Sequence, residues 1–168
     1  MADKGTLILT HTDIQQKIKR IAYEILENNY DEKELRIIGI KDKGFLFAQK
    51  IYDCLKEITP VKLTLSFITL DKLSPSEKSI GYDFTPAELK GKVIILIDDV
   101  GNTGRTLCYA MQPLLAHLPK KIEMAVLVDR QHKLFPVAAD YVGLSLSTTM
   151  KETVTVEFNG KDDAAYLS

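Results

Sequence analysis

The 168-residue sequence has no tryptophan, only three histidines and only two cysteines. Cys54 and Cys108 lie far apart, with no Cys-x-x-Cys and no histidine at ligand spacing. That excludes a disulfide scaffold or a zinc module and suits two half-buried thiols in a reducing compartment. An excess of one charge is also missing: 22 Lys and Arg stand against 23 Asp and Glu, a formal net charge of −1. Such a balance gives no general pull toward nucleic acid or a membrane surface. The longest apolar runs are too short to span a bilayer, and the first residues carry no apolar leader, so the expected location is cytoplasmic. There is no internal repeat, low-complexity tract or linker. With 45% hydrophobic residues, the chain suits one domain, 1–168, with a proper core.

Two common nucleotide signatures are absent as well. The phosphate loop of nucleotide hydrolases needs a Gly-rich run ending in Gly-Lys-Ser/Thr, and the dinucleotide fingerprint needs G-x-G-x-x-G; neither occurs. What stands in their place is Val93-Ile94-Ile95-Leu96-Ile97-Asp98-Asp99-Val100-Gly101-Asn102-Thr103-Gly104-Arg105-Thr106. Five apolar, mostly β-branched residues predict a strand buried on both faces. Two acids follow at its carboxyl end, where open α/β sheets bind ligands. Gly101 and Gly104 permit a tight turn that gathers N–H groups, and the hydroxyls of Thr103 and Thr106 add to this anion site. A sugar phosphate suits this order, its phosphate in the turn and its diol on Asp98 and Asp99. Simple helix capping would need one acid, not two acids and two hydroxyls.

Strand and helix patterns alternate along the chain. Thr6–Thr10 reads as a short strand, and Thr12-Asp13-Ile14-Gln15 as a capping box opening a helix that ends near Asn28-Asn29. Strands are expected at Leu35–Ile40, Val61–Leu70, Val93–Ile97, Ile122–Val128 and Tyr141–Gly143, with Thr153–Phe158 as an edge strand. Helices are expected after Gly44 and over Leu107–Leu118. This order predicts an α/β fold, a mainly parallel doubly wound sheet flanked by helices.

Four further stretches are candidates for chemistry. Lys41-Asp42-Lys43-Gly44 follows a strand and supplies two ammonium groups, a glycine and a helix start, a second anion site. The polar segment 71–89 is long for a structureless connection and reads as a mobile lid or as disorder, with Lys72, Ser76, Lys78 and Tyr82 as candidate contacts. Asp129-Arg130-Gln131-His132 follows another strand. Tyr141 and Val142 read equally as a flat ring and backbone groups for a nucleobase or as core residues of a strand.

These residues resemble the type I phosphoribosyltransferases, and among them the pyrimidine-operon attenuator proteins that are also uracil phosphoribosyltransferases. The similarity runs from about Thr12 to Phe158. It rests on Lys19–Ile25, Ile38–Gly44, Ile97–Thr106, Ala125–His132 and Ala139–Gly143. The resemblance implies that Asp98 and Asp99 hold the ribose hydroxyls and are the catalytic pair. Val100, Gly101, Asn102, Thr103, Gly104, Arg105 and Thr106 would cradle the 5′-phosphate. Lys41, Asp42, Lys43 and Gly44 would hold pyrophosphate with Mg²⁺, the ion being bound mainly by substrate and water. Asp129, Arg130, Tyr141 and Val142 would frame the base, within a small hood region of about 129–158. Phosphoribosyl pyrophosphate and a nucleobase would be the substrates, and a homodimer or larger assembly is implied.

Departures from the family pattern refine this. Asn102 stands where purine enzymes carry an Asp, and Asp129 where they carry a Lys that donates to the purine oxo group. Two facing acceptors cost on the order of a few kcal/mol if buried, so a pyrimidine is the expected base. The lid lacks the usual Tyr-Arg-Asp-Asp-like run. Tyr23 replaces a usual His, and Ala138, Ala139, Leu144 and Ser145 replace basic residues of the RNA-binding members, so no tight RNA association is expected. The alternative is a regulator of pyrimidine gene expression, of the RNA-binding attenuator type, that senses phosphoribosyl pyrophosphate or a nucleotide, with weak or no catalysis.

Overall fold

The structure, a computed structural model, describes residues 4–76 and 79–168. Its elements are β1 (Thr6–Leu9), α1 (His11–Asn28), β2 (Glu34–Ile40), α2 (Lys43–Ile58), β3 (Lys62–Thr69), β4 (Gly81–Tyr82), β5 (Val93–Gly101), α3 (Arg105–Ala110), α4 (Gln112–Leu115), β6 (Lys121–Arg130), β7 (Tyr141–Leu146), β8 (Val154–Glu157) and β9 (Ala164–Leu167). The main sheet has the order β4-β3-β2-β5-β6-β7, parallel except for β4.

The β-branched runs are buried on both faces because alternate side chains feed two different cores. From β5, Ile95 and Ile97 join Ile37, Leu127 and the inner faces of α1 and α2. Ile94 and Leu96 turn the other way, onto Leu107, Ala110 and Leu114 of α3 and α4. Helix α1 presents Ile14, Ile18, Ile21, Ala22 and Ile25 at the 3–4 spacing of a single buried stripe.

Several boundaries differ from those the sequence predicts. The capping box of α1 lies two residues earlier: Thr10 is the N-cap, its hydroxyl accepting from the Asp13 N–H while Asp13 accepts from the Thr10 N–H. The helix expected over Leu107–Leu118 is broken at Met111, and Pro113 sits in the first turn of α4, where its missing N–H costs nothing. Strand β8 does not edge the main sheet. It forms a separate antiparallel sheet, β1-β9-β8, from both ends of the chain, and Leu9, Val154, Val156 and Ala165 pack it onto the α1–α2 core. This small sheet draws in residues 6–9 and 164–167 beside 154–157.

The segment 71–89 is not structureless throughout. Its second half pairs as β4, turns through a 3-10 helix at Pro86–Leu89, and buries Leu89 with Ile80 and Phe84 alongside. Only 71–76 of the described residues in this segment runs as exposed chain apart from buried Pro75.

Candidate functional site

From β2 the chain moves outward to β3 and β4, and from β5 it moves the opposite way to β6 and β7. The order therefore reverses between the adjacent strands β2 and β5, and the loops leaving their carboxyl ends part to leave a crevice. Those two loops are 41–44 and 98–106, the two segments that the sequence marks as anion sites. They touch: a Cβ on Gly44 would lie 2.6 Å from Asp98 Oδ1. Glycine at 44 is what lets the start of α2 sit against the acidic pair.

Asp98 and Asp99 are both buried. Strand β5 carries them as its own continuation, which extends four residues beyond the apolar run. Asp98 Oδ1 accepts the Asp99 N–H at 2.9 Å. The nearest ammonium is Lys72 Nζ, at 4.0 Å from Asp98 Oδ1 and itself half-exposed on the lid. Burial first, and then the neighbouring Asp99 charge, push the Asp98 carboxyl well above the usual carboxylate range, with Lys72 opposing weakly.

Residues 100–107, with Lys72 and Asp98, line a cavity of about 70 Å³. That is several times the ~10–15 Å³ that admits one water, room for a tetrahedral oxyanion. Gly104 has φ +82°, and a Cβ there would meet Val137 Cγ2 at 2.3 Å, so both conformation and space require glycine. Thr103 Oγ1 accepts the Arg105 N–H at 3.3 Å. Arg105 is exposed and Thr106 half-buried at the same rim.

Asp129 and Arg130 end β6 beside this loop, Asp129 in register with Gly101. The Asp129 carboxylate is held by Lys133 Nζ. Arg130 donates to Asn102 Oδ1 at 3.0 Å, to Thr148 Oγ1 at 2.9 Å and to the Thr149 carbonyl at 3.2 Å. His132 Nε2 bonds the Thr148 carbonyl at 2.5 Å. Together they tie the loop after β7 to the loop 100–106. Between them lies a cavity of about 470 Å³ whose lining includes Asn102, Arg130, His132, Leu134 and Met150.

Tyr141 and Val142 are not there. They begin β7 instead of ending it, pairing with Ala125 and Val126 in mid-β6. Tyr141 is 1% exposed, its hydroxyl donating to Glu123 and accepting from Asn28 Nδ2. The Val142 carbonyl accepts from Arg20 at 2.9 Å. Both belong to the core and the amino edge of the sheet, so the base-framing role expected of them is corrected. Of the lid candidates, Lys72 alone approaches the acids. Tyr82 stacks on Phe84 at 4.8 Å, Ser76 is exposed, and Lys78 lies outside the described residues. Lys41 places its Nζ 4.9 Å from the centre of the Phe67 ring, and Asp42 and Lys43 are exposed at the start of α2. Lys133 is the residue that sequence reasoning missed. Its i,i+4 spacing from Asp129 was the available signal.

The Phosphoribosyl transferase domain family model matches residues 5–158. The chain belongs to this family. Among curated relatives it is 38% identical over 163 residues to the Bifunctional protein PyrR of Clostridium acetobutylicum, covering 93% of this chain and 92% of that one. It is 34% identical over 157 residues to the Enterococcus faecalis protein of the same name, covering 90% and 88%. Among solved structures it resembles the hypoxanthine phosphoribosyltransferase of Trypanosoma cruzi, with a TM-score of 0.76, 18% identity and 95% of both chains covered. A hypoxanthine-guanine phosphoribosyltransferase from Bacillus anthracis gives a TM-score of 0.73 at 20% identity, covering 96% and 97%. At such identities the structures establish the fold. The expectation of no tight RNA association finds no support in relatives named bifunctional. No helix among the described residues is long and apolar enough to cross a membrane.

Proposed function

We propose that this phosphoribosyltransferase moves the ribose 5-phosphate of phosphoribosyl pyrophosphate onto a pyrimidine base such as uracil and releases pyrophosphate. The observation that carries this is the crevice at the switch point, with a buried acidic pair on one side and a turn sized for an oxyanion on the other. The bond from the anomeric carbon to pyrophosphate breaks as a bond to the base nitrogen forms, and the base loses its N–H proton. Positive charge gathers on the sugar ring in between. Asp98 and Asp99 grip the ribose hydroxyls and lie beside that charge, where preorganised electrostatics act most strongly. The loop 100–106 fixes the 5′-phosphate, and Lys41 to Gly44 the departing pyrophosphate.

The base would occupy the cavity beside Asn102 and Arg130. Because Arg130 donates to Asn102 Oδ1, the Asn102 Nδ2 amide is left as a donor, which matches an oxo group of uracil. A Mg²⁺ ion would take most of its oxygen shell from pyrophosphate and water and neutralise the leaving group. A homodimer or larger assembly is the state expected in solution.

The test mixes protein, Mg²⁺ and phosphoribosyl pyrophosphate with a panel of bases. Pyrophosphate release with uracil, and little with hypoxanthine or guanine, supports the proposal; no release with any base removes the enzymatic role. A second reading, an RNA-binding regulator, is favoured by the bifunctional relatives. It expects RNA affinity that falls steeply with salt, and salt-independent or absent RNA binding counts against it.

A further inference from the structure

We infer that Lys133 is a positioning residue that turns the amides of the phosphate loop toward the ligand. The inference rests on the site reading above. Residues 131–140 cross between the parallel strands β6 and β7, a connection ordinarily made by a helix. Here it is irregular chain that wraps behind residues 101–104.

The backbone carbonyls of the loop are taken up from behind one after another. Lys133 Nζ donates to the Gly101 carbonyl at 3.3 Å and to the Asn102 carbonyl at 3.1 Å. The Thr103 carbonyl accepts the N–H groups of Leu134 at 2.9 Å and Phe135 at 3.1 Å. The Gly104 carbonyl is committed to Cys108 in the first turn of α3. In a trans peptide the N–H points opposite to its carbonyl. Holding the carbonyls of 101, 102 and 103 on the rear side therefore sends the N–H groups of Asn102, Thr103 and Gly104 forward. No turn or side-chain hydrogen bond among the described residues uses those three amides. Successive amides aimed at one point make an anion-binding nest.

Lys133 is suited to this work and to no direct contact with substrate. Its ammonium has three protons and already faces four acceptors: the two loop carbonyls, the Arg130 carbonyl at 3.0 Å and the Asp129 carboxylate. No proton is left for a phosphate oxygen. Asp129 in turn supplies the counter-charge that keeps the ammonium in place, and Gly101 makes room for it, since a Cβ there would sit 2.8 Å from Asp129 Oδ1. Asp129 thus acts through Lys133, away from the base.

The test compares ribose 5-phosphate binding by calorimetry in the wild type, Lys133→Met, Lys133→Gln and Lys133→Arg, each checked by thermal melting. The expected result is a Kd raised at least tenfold in the Met variant, with the Gln and Arg variants, which keep donors, in between. In turnover the same variants should raise KM for phosphoribosyl pyrophosphate more than they lower kcat, a split that a general loss of structure would not give. A folded Met or Gln variant that binds within twofold of the wild type overturns the inference. A wild type that does not bind ribose 5-phosphate removes the reading of the site itself, and the inference with it.

Discussion

The two edges of the main sheet carry charge in opposite ways. At the amino edge three acids have close partners. Glu34 meets Lys92 at 2.9 Å, Arg36 at 2.9 Å and Lys62 at 3.7 Å, Glu123 meets Lys121 at 2.7 Å and the Tyr141 hydroxyl, and Glu32 meets Lys120. At the carboxyl edge Asp98 and Asp99 are adjacent, buried, and 4.0 Å or more from the nearest ammonium. Burying like charges without a counter-charge is costly. A fold keeps such a pair where a ligand can complete it, which sets Asp98 and Asp99 apart from the paired Asp129 on the same edge and makes them the candidate site.

The largest effect should come from the unpaired acids. Asp98→Asn or Asp99→Asn is expected to lower kcat/KM by about 10²–10³-fold, the scale of losing one preorganised electrostatic contact. Asp98→Asn should also raise Tm, by about 2–4 °C for each kcal/mol of relieved repulsion. The pH dependence follows from the sign of the shift. Asp98 has a folded-state pKa above its ordinary 3.8, so its contribution is greatest below that value and declines as pH rises toward the folded-state pKa. Melting curves across pH should show this decline in the wild type and lose it in the variant.

Tyr141→Phe probes the amino edge and is next in size. It removes a buried hydroxyl bonded to Glu123, costing about 1–3 kcal/mol of stability in chemical denaturation, while KM for the base stays unchanged. A raised KM with unchanged stability would return Tyr141 to the ligand edge. Glu34→Gln is the smallest. The hydrogen bond from Lys92, with Arg36 and Lys62 adding, holds the Glu34 carboxyl below its ordinary 4.5 against the effect of burial. Its contribution is present above that value and is lost as pH falls through the folded-state pKa. With Lys92 and Lys62 in contact with solvent, the loss at neutral pH should be under about 1 kcal/mol. The two edges thus predict opposite slopes of stability with pH in the acid range.

Much of this was legible in the sequence, and the failures have particular causes. Val93–Thr106 announced its strand, acids and turn because all three lie in one continuous stretch. The mainly parallel sheet followed from strand–helix alternation, whereas the strand order that reverses between β2 and β5 is set by long-range pairing. Tyr141 was misplaced through direction: it opens β7, and in a parallel sheet only residues at or beyond a strand's carboxyl end reach the carboxyl edge. The capping box slipped because Thr10-x-x-Asp13 and Thr12-x-x-Gln15 overlap, and the carboxylate of Asp13 makes the stronger reciprocal bond. Strand β9 is only four residues long and is held between its neighbour β8 and β1 from the other end of the chain, so its own residues mark it weakly. Lys133 sits in an irregular crossover where hydrophobic periodicity is silent. Its role depends on carbonyls thirty residues away.

The most direct test of the phosphate-bearing turn is an amide ¹H–¹⁵N titration with ribose 5-phosphate. Saturable shifts concentrated at Asn102, Thr103, Gly104 and Thr106 are the result predicted. Saturable shifts confined to another part of the sheet, or none at millimolar ligand, would contradict it.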